Sequence, residues 1–316
     1  MTPVSLGYVP LCDAAALIVG HAMGFFADEG LAVTLSREAS WATIRDKLAV
    51  GALDGAHMLA PMVVAQSLGL GCEPTEILAP TALGRGGAAL TISSRLSLGD
   101  DPAAGLLALV DRRREADASL LTFSVVFPYS IHNYLLRNWM CGAGVDPDHD
   151  VRITVAAPPR MAALLAGGAI EGFCAGEPWN AVAEEQAVGR VAVRIADLAP
   201  QALDKVFGVP KSWASRDPAA LQAVLRALAR AMAWAGDPAN RESLAELLAE
   251  PEHLGASSTA IARGLKHIRF DGDIAAKDAD WLLAQMVRWG QVDRAEKARV
   301  LGLFDPGAFG GSAPGA

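Results

Sequence analysis

Short apolar segments that end at proline or glycine alternate with helical segments through the first two-thirds of the chain. This alternation constrains the fold more than any other feature. It begins at once: "VSLGYVP" predicts a strand, "AAALIVGHAMGFFADEG" a helix and "LAVTLS" a second strand. Asp13 is predicted to cap the helix, which should end at Gly30. A strand–helix–strand opening is typical of an α/β domain.

The same rhythm continues to about residue 198 and then changes. Further strands are predicted over residues 55–61, 75–83, 86–93, 120–130, 151–159, 170–178 and 192–198. Helices are predicted between several of them, over residues 43–53, 62–71, 131–144 and 160–168. After Lys211 the chain becomes a series of amphipathic helices, the first over residues 217–236. The Gly/Pro/Ala-rich tail, residues 305–316, is expected to be frayed. Ligands of open α/β sheets lie at the carboxyl ends of the strands, so candidate residues are sought there.

Charge and hydropathy exclude several classes of partner. The 316 residues are 52% hydrophobic, which is enough for two domains or one large α/β unit. A net charge of -8 disfavours direct binding to nucleic acid or to an anionic membrane. No run of apolar residues is long enough to predict membrane insertion. The first Lys or Arg is Arg37, so the N-terminal stretch lacks the positive region of an export signal and a cytoplasmic location is expected.

Motifs for metal binding and catalysis are missing from the sequence. The four cysteines are widely spaced, without CxxC pairs or histidines at zinc-ligand spacing, and are expected to be buried free thiols (Cys12, Cys72, Cys141, Cys174). The chain contains no GxSxG, P-loop, GxGxxG or HExxH motif. No catalytic residue, metal ligand or cofactor is therefore predicted. The residues alone favour a two-lobed α/β binding protein or enzyme.

Trp41 is the first candidate for ligand contact because it follows a strand and begins a helix. A tryptophan at this position is more often part of the core. The alternative is an aromatic wall for a flat ligand, with Ser40, Thr43 and the free N–H groups at the helix start as donors to an anion.

Four further side chains are candidates for ligand contact, each with a structural alternative. His57 lies inside a predicted strand and is interpreted as a core residue. His132 begins a helix after a strong strand, where ligand contact and a structural role are equally favoured. Glu177 precedes Pro178 and is interpreted as a rigid hinge support or a lining acid. Lys205 follows the α/β region, and taken alone it reads as a solvated surface charge.

Four strings together resemble the nitrate/bicarbonate-binding protein family. They are "LGYVPLCDAAALIVGHAMGFFADEGL", "ASWATIRDKLAVGALDGAHMLAPM", "VRITVAAPPRMAALLAGGAIEGFCAGEPWN" and "DKVFGVPKSW", spread over about residues 5–213. The resemblance implies a type 2 periplasmic-binding-protein fold, with two α/β lobes around a ligand cleft and a helical C-terminal part. Lobe I would comprise residues 1–88 and 200–316, and lobe II residues 89–199. The crossovers would fall near Ala88 and Leu198.

The resemblance also implies a set of ligand-binding residues. The tryptophan, histidine and lysine of the family correspond to Trp41, His132 and Lys205. A lysine rather than an acid at position 205 favours nitrate or nitrite over bicarbonate. The family's side-chain amide is missing, because Gly86-Gly87-Ala88 stands where the family has Asn-Gly followed by Asn or Gln. Backbone N–H groups around Gly87 and Ala88 are expected to replace it as anion donors.

The resemblance implies that the chain binds an anion and does not catalyse a reaction. Because the chain shows no leader, the resemblance favours the NasS-type cytoplasmic nitrate sensors, which regulate an RNA-binding antiterminator protein by lobe closure. The alternative is the periplasmic solute-binding subunit of a nitrate-type ABC importer, whose partner is a permease. A remote alternative is an enzyme similar to thiamine-pyrimidine synthases, but these carry a cysteine cluster with a histidine that this sequence lacks.

Overall fold

The computed structural model describes residues 1–304, so the tail predicted to be frayed, residues 305–316, lies outside the described residues. Eleven strands form two sheets within the described residues. The strands are β1 (Thr2–Tyr8), β2 (Leu31–Arg37), β3 (Gly55–Leu59), β4 (Ile77–Gly86), β5 (Ala88–Ser93), β6 (Leu121–Val125), β7 (Val151–Val155), β8 (Gly172–Gly176), β9 (Gly189–Arg194), β10 (Leu203–Pro210) and β11 (Ile268–Arg269).

Helices connect these strands and make up most of the C-terminal third. The first eight are α1 (Ala15–Ala22), α2 (Phe25–Asp28), α3 (Trp41–Ala49), α4 (Ala60–Leu68), α5 (Pro102–Glu115), α6 (Ile131–Gly142), α7 (Met161–Ala166) and α8 (Trp179–Glu185). The others are α9 (Ile195–Leu198), α10 (Lys211–Arg216), α11 (Pro218–Gly236), α12 (Arg241–Ala249), α13 (Ser258–Leu265), α14 (Ala276–Arg288) and α15 (Lys297–Gly302). Among the helices of residues 1–304, none has the length and apolar content needed to cross a bilayer.

The first sheet has the strand order β11-β4-β10-β3-β1-β2. Its β1, β2 and β3 are parallel, as the strand–helix alternation of the N-terminal region predicts. In contrast, β10 enters from far along the sequence and runs antiparallel between β3 and β4. All eight residues of β10 are buried, although two of them are charged.

The second sheet has the order β7-β6-β8-β5-β9 and takes all its strands from residues 88–194. Its β6 pairs in parallel with β7 and β8, whereas β5 runs antiparallel to β8 and β9. The chain changes sheet between β4 and β5 and returns to the first sheet at β10. We therefore propose that residues 1–87 with 200–304 form lobe I and residues 88–199 form lobe II, because Ala88 is already the first residue of β5.

The structure corrects several sequence predictions. The helix predicted to run to Gly30 is two helices, because Gly24 adopts a left-handed conformation (φ 73°) that ends the first and starts the second. The predicted strand over residues 192–198 ends at Arg194 and continues as a helical turn. Helix α5 was not predicted. The thiol predictions fail in part, because Cys141 is exposed and Cys72 is half-buried; both are free, as are the buried Cys12 and Cys174.

Candidate functional site

A buried ion cluster joins elements of the first sheet to helix α6, with Lys205 at its centre. Strand β10 carries Lys205 beside Leu59 of β3, and the ammonium is fully buried. Its Nζ donates to Asp204 Oδ2 at 2.6 Å and lies 3.0 Å from Asp13 Oδ2. The sequence context of Lys205 predicts a surface charge beyond the α/β region. The structure shows instead that Lys205 is buried in a strand of the first sheet.

Asp13 is part of this cluster and does not cap α1. It lies in a short 3-10 turn after β1, and the N-cap residue of α1 is Ala14, which makes no side-chain cap. The Asp13 carboxylate points inward, with Oδ1 2.9 Å from Nε2 of His57. Burial of a charge without a partner is costly, so the pairing with Lys205 explains how Asp13 can be 2% exposed.

Trp41 and a second histidine, His132, complete the cluster. The rings of Trp41 and His57 lie 5.1 Å apart between centroids, and the Lys205 ammonium lies 5.8 Å from the Trp41 ring centroid. His132 comes from the second sheet's side, in the first turn of α6, and its Nε2 is 3.6 Å from Asp204 Oδ2. All six side chains are at most 3% exposed, and we call them the lysine cluster: Asp13, Trp41, His57, His132, Asp204 and Lys205.

Many polar atoms of the lysine cluster have no hydrogen-bond partner among the described residues. They include Trp41 Nε1, His57 Nδ1, both ring nitrogens of His132 and Asp204 Oδ1. A buried polar group without a partner costs about 1–3 kcal/mol, and most native cores contain few of them. Several such atoms around one ammonium are typical of a site that a small polar ligand completes.

The pKa values of the groups in the cluster are shifted in different directions. Burial raises the pKa of Asp204 to about 6, an effect that Lys205 reduces and Asp13 increases. Burial also opposes ionisation of Asp13, but Lys205 and His57 outweigh it and hold the pKa of Asp13 well below its usual range. For Lys205, the two carboxylates outweigh burial and raise its pKa. Burial and the neighbouring Lys205 lower the pKa of His132 well below its usual value, so His132 is neutral.

Gly87, Ala88 and Glu177 lie together at the crossover from β4 to β5. The Gly87 N–H donates to the His267 carbonyl at 2.8 Å, so this donor is already used within the protein. The Gly87 carbonyl accepts the N–H of Glu177, and the Glu177 carbonyl accepts the N–H of Cys12. The Glu177 carboxylate is 1% exposed, accepts the Ala181 N–H and pairs with Arg194 at 3.2 Å. The arrangement suits the hinge-support interpretation of Glu177.

Ser40 has a local role in positioning Trp41. Its side-chain oxygen accepts the Thr43 N–H at 3.2 Å and caps the N-terminus of α3. This cap fixes where α3 starts, and therefore where the first residue of the helix, Trp41, places its ring.

Sequence reasoning found half of the lysine cluster. The structure brings Trp41, His132 and Lys205 together. The other three members are not indicated by the sequence motifs, because His57 reads as a core residue, Asp13 reads as a helix cap and Asp204 belongs to no motif. Asp204 had a detectable signal, because two adjacent charges inside an apolar, β-branched segment are unusual for a buried strand. No group of three or more His, Cys, Asp or Glu side chains in residues 1–304 is arranged to share a metal ion. The cluster instead offers N–H donors and one ammonium, which are suited to a small oxyanion.

Comparison with known proteins gives consistent matches over most of the chain. The model of the NMT1-like family matches residues 1–249. The nitrate import ATP-binding protein NrtC of Synechocystis sp. is 32% identical over 315 residues, covering 92% of this chain and 46% of NrtC. The bicarbonate transport ATP-binding protein CmpC of Synechococcus elongatus is 35% identical over 306 residues, covering 92% of this chain and 45% of CmpC. The chain thus spans about half the length of these two relatives.

A solved structure matches the whole architecture. The crystal structure of the periplasmic nitrate-binding protein NrtA from Synechocystis PCC 6803 superposes with a TM-score of 0.90 and 26% sequence identity. The match covers 98% of this chain and 87% of that one. The predicted periplasmic-binding-protein fold is therefore confirmed.

Proposed function

The chain belongs to the NMT1-like family, and its relatives include nitrate- and bicarbonate-transport proteins. On that premise we propose that it binds a small inorganic anion, nitrate or nitrite, at the lysine cluster. The observation that carries the proposal is the set of buried, unpartnered polar atoms around Lys205. Nitrate is planar, ionised at physiological pH and accepts hydrogen bonds without donating them. It matches the unpartnered Trp41 Nε1–H, the N–H of the neutral His132 and the charge of Lys205.

Binding without catalysis fits the chemistry of the cluster. We assign no nucleophile, because the neighbouring buried thiol, Cys174, has its pKa raised by burial and by Asp204. The ligand would contact both lobes, since His132 comes from α6 and the other five members of the cluster come from lobe I. An anion held from both sides favours the closed arrangement of the lobes by its differential affinity for that state.

We favour a solute-binding role in an ABC-type importer over a cytoplasmic sensor. The relatives reported above are named as import and transport proteins, and the solved relative is described as periplasmic. None of these names supports the predicted antiterminator partner or the predicted cytoplasmic location. An importer permease is the partner consistent with these relatives. Fractionation of the source cells would test the location that this role requires, by finding the chain in the periplasm or in the cytosol.

Isothermal titration calorimetry with nitrate, nitrite, bicarbonate and chloride tests the binding function. The informative variant is Lys205→Met, which keeps the length of the side chain and removes its charge. It also leaves Asp13 and Asp204 buried without their cation, so its stability should fall and its affinity is measured only where the variant is folded. Loss of one charge-assisted hydrogen bond, about 1.5–3 kcal/mol, predicts an affinity for nitrate or nitrite that falls roughly 10- to 150-fold.

The matched control is Lys211→Met, which removes an exposed lysine that pairs with Glu76 at 2.8 Å just after the same strand. Its affinity should equal that of the unmodified protein, and circular dichroism verifies the fold of both variants. Absence of binding to all four anions would contradict the proposal, as would equal affinities of a folded Lys205→Met variant and the control.

A further inference from the structure

The lysine cluster contains more carboxylates than ammonium groups. Asp13 and Asp204 both contact Lys205, at 3.0 and 2.6 Å, and all three side chains are buried. With both carboxyls ionised, these three groups by themselves carry one excess negative charge. An anion that enters this site adds a second negative charge where water is excluded, and burial of uncompensated charge is strongly unfavourable.

The groups that face Asp204 come from five elements. Lys205 is its neighbour on β10, His132 on α6 lies 3.6 Å from Asp204 Oδ2, and Asp13 in the turn after β1 and His57 on β3 both act on the charge of Asp204. Cys174 on β8 is also near enough for Asp204 to raise the pKa of its thiol. Asp204 Oδ2 already accepts from Lys205, whereas Oδ1 has no partner within the described residues. A proton on Oδ1 would make this atom a hydrogen-bond donor to a bound oxyanion.

We propose that nitrate or nitrite enters the lysine cluster together with one proton, which Asp204 takes up. This inference rests on the proposed function and specifies how the same site balances charge. Asp13 remains the carboxylate that pairs with Lys205, and Asp204 becomes a neutral donor toward the anion. Asp204 thereby adds a donor to those that Trp41 and His132 offer the anion.

The direction of the pH dependence follows from linkage. In the free protein, the pKa of Asp204 is about 6, because burial and Asp13 disfavour its ionised form. A bound anion raises this pKa further, so binding at pH values above 6 draws a proton from solution. The association constant should then fall about tenfold for each pH unit above roughly 7 and level off below roughly 6.

Calorimetry of nitrate binding in two buffers of different ionisation enthalpy, at one neutral pH, counts the protons. We expect about one proton taken up per anion bound by the unmodified protein. A protonated-carboxyl band that appears in the infrared difference spectrum on nitrate addition would support the same conclusion without any variant.

Variants assign the proton to a residue. Asp204→Asn should bind nitrate with no proton uptake and with an affinity that is independent of pH. His132→Gln and His57→Gln should bind more weakly and still take up the proton. Glu177→Gln, which alters a buried carboxyl outside the cluster, should also take up the proton.

The outcomes separate the inference from the proposed function. Nitrate binding without proton uptake overturns the inference alone, as does undiminished uptake by Asp204→Asn. Uptake that is lost in His57→Gln or His132→Gln but kept in Asp204→Asn overturns the assignment to Asp204. Absence of binding to nitrate and nitrite at every pH overturns the proposed function and the inference with it.

Discussion

Within residues 1–304, two buried ion clusters that contact the first sheet are built differently. In one, Arg85 pairs with Asp278 at 2.7 Å and also donates to the carbonyls of Gln201 and Asp273. Asp278 in turn accepts the Ala275 N–H at the start of α14. In the lysine cluster the ion pairs are equally short, but many of the polar atoms around them lack partners.

The difference teaches how a supporting ion pair can be told from a binding site. A buried pair that stabilises a fold needs its remaining hydrogen bonds satisfied, and the Arg85–Asp278 pair meets this condition. A cluster that awaits a ligand leaves donors and acceptors unused, at a cost in stability that the ligand repays. Three substitutions test the comparison, each aimed at a different kind of atom.

Arg85→Met should have the largest effect. It leaves the buried Asp278 carboxylate without its cation, and breaking a buried pair in this way costs about 3–5 kcal/mol of unfolding free energy. Urea denaturation measures the loss, with the exposed Arg269→Met as control at under about 1 kcal/mol. The affinity of the folded variant for anions should be unchanged, and a stability loss no larger than the control's would contradict the scaffold role of the pair.

Asp204→Asn should have the next largest effect on the unfolding free energy, and it should raise stability where Arg85→Met lowers it. Because the folded-state pKa of Asp204 is raised to about 6, its contribution to stability is present at low pH and lost as the pH rises through 6. The variant cannot ionise, so relative to the unmodified protein it should gain on the order of 2–3 kcal/mol between about pH 4 and pH 8 without ligand.

Denaturation at several pH values measures this gain. The control is Glu76→Gln, which alters an exposed acid and should change stability by under about 1 kcal/mol across the same range. A difference between Asp204→Asn and the unmodified protein that does not vary with pH would show that Asp204 ionises normally.

Trp41→Phe should have the smallest effect on stability, and it best separates a change in stability from a change in nitrate affinity. It keeps a buried ring and removes an Nε1–H that has no partner in the described structure. Stability should fall by about 1 kcal/mol because the smaller ring leaves a space in the core. Nitrate affinity should fall about three- to tenfold for the loss of one neutral hydrogen bond. Calorimetry paired with urea denaturation checks both numbers, and a loss of stability without a loss of affinity would place Trp41 in the core only.

The sequence predicted the fold where local patterns decide it. β1 and β2, the helix over residues 217–236 and the β6–α6 unit follow directly from apolar runs and their capping or terminating residues. Prediction failed at β10, because a strand that places Asp204 and Lys205 inside a sheet contradicts the apolar pattern expected of a buried strand. Its burial depends on pairing with Asp13, which lies about 190 residues earlier in the chain.

Only those residues of the candidate site that match a family motif could be predicted from the sequence. Trp41, His132 and Lys205 came from the resemblance, since none of the three has a distinctive local context. Asp13 looked like a helix cap because an acid before an Ala-rich helix usually is one. Its contacts with Lys205 and His57 arise from the meeting of distant segments, which single-sequence patterns do not encode.

The central position of β10 has a consequence for the order in which the protein is made. The five strands of the second sheet lie within residues 88–194 and are synthesised before β10 begins at Leu203. The first sheet stays divided until then, because β4 and β3 are joined through β10. During translation lobe II can therefore complete its sheet first, and lobe I closes around Lys205 afterwards. The residue at the centre of the cluster is therefore on the strand that joins the two parts of the first sheet, and the site is assembled when those parts are joined, before β11 and the last helices are made.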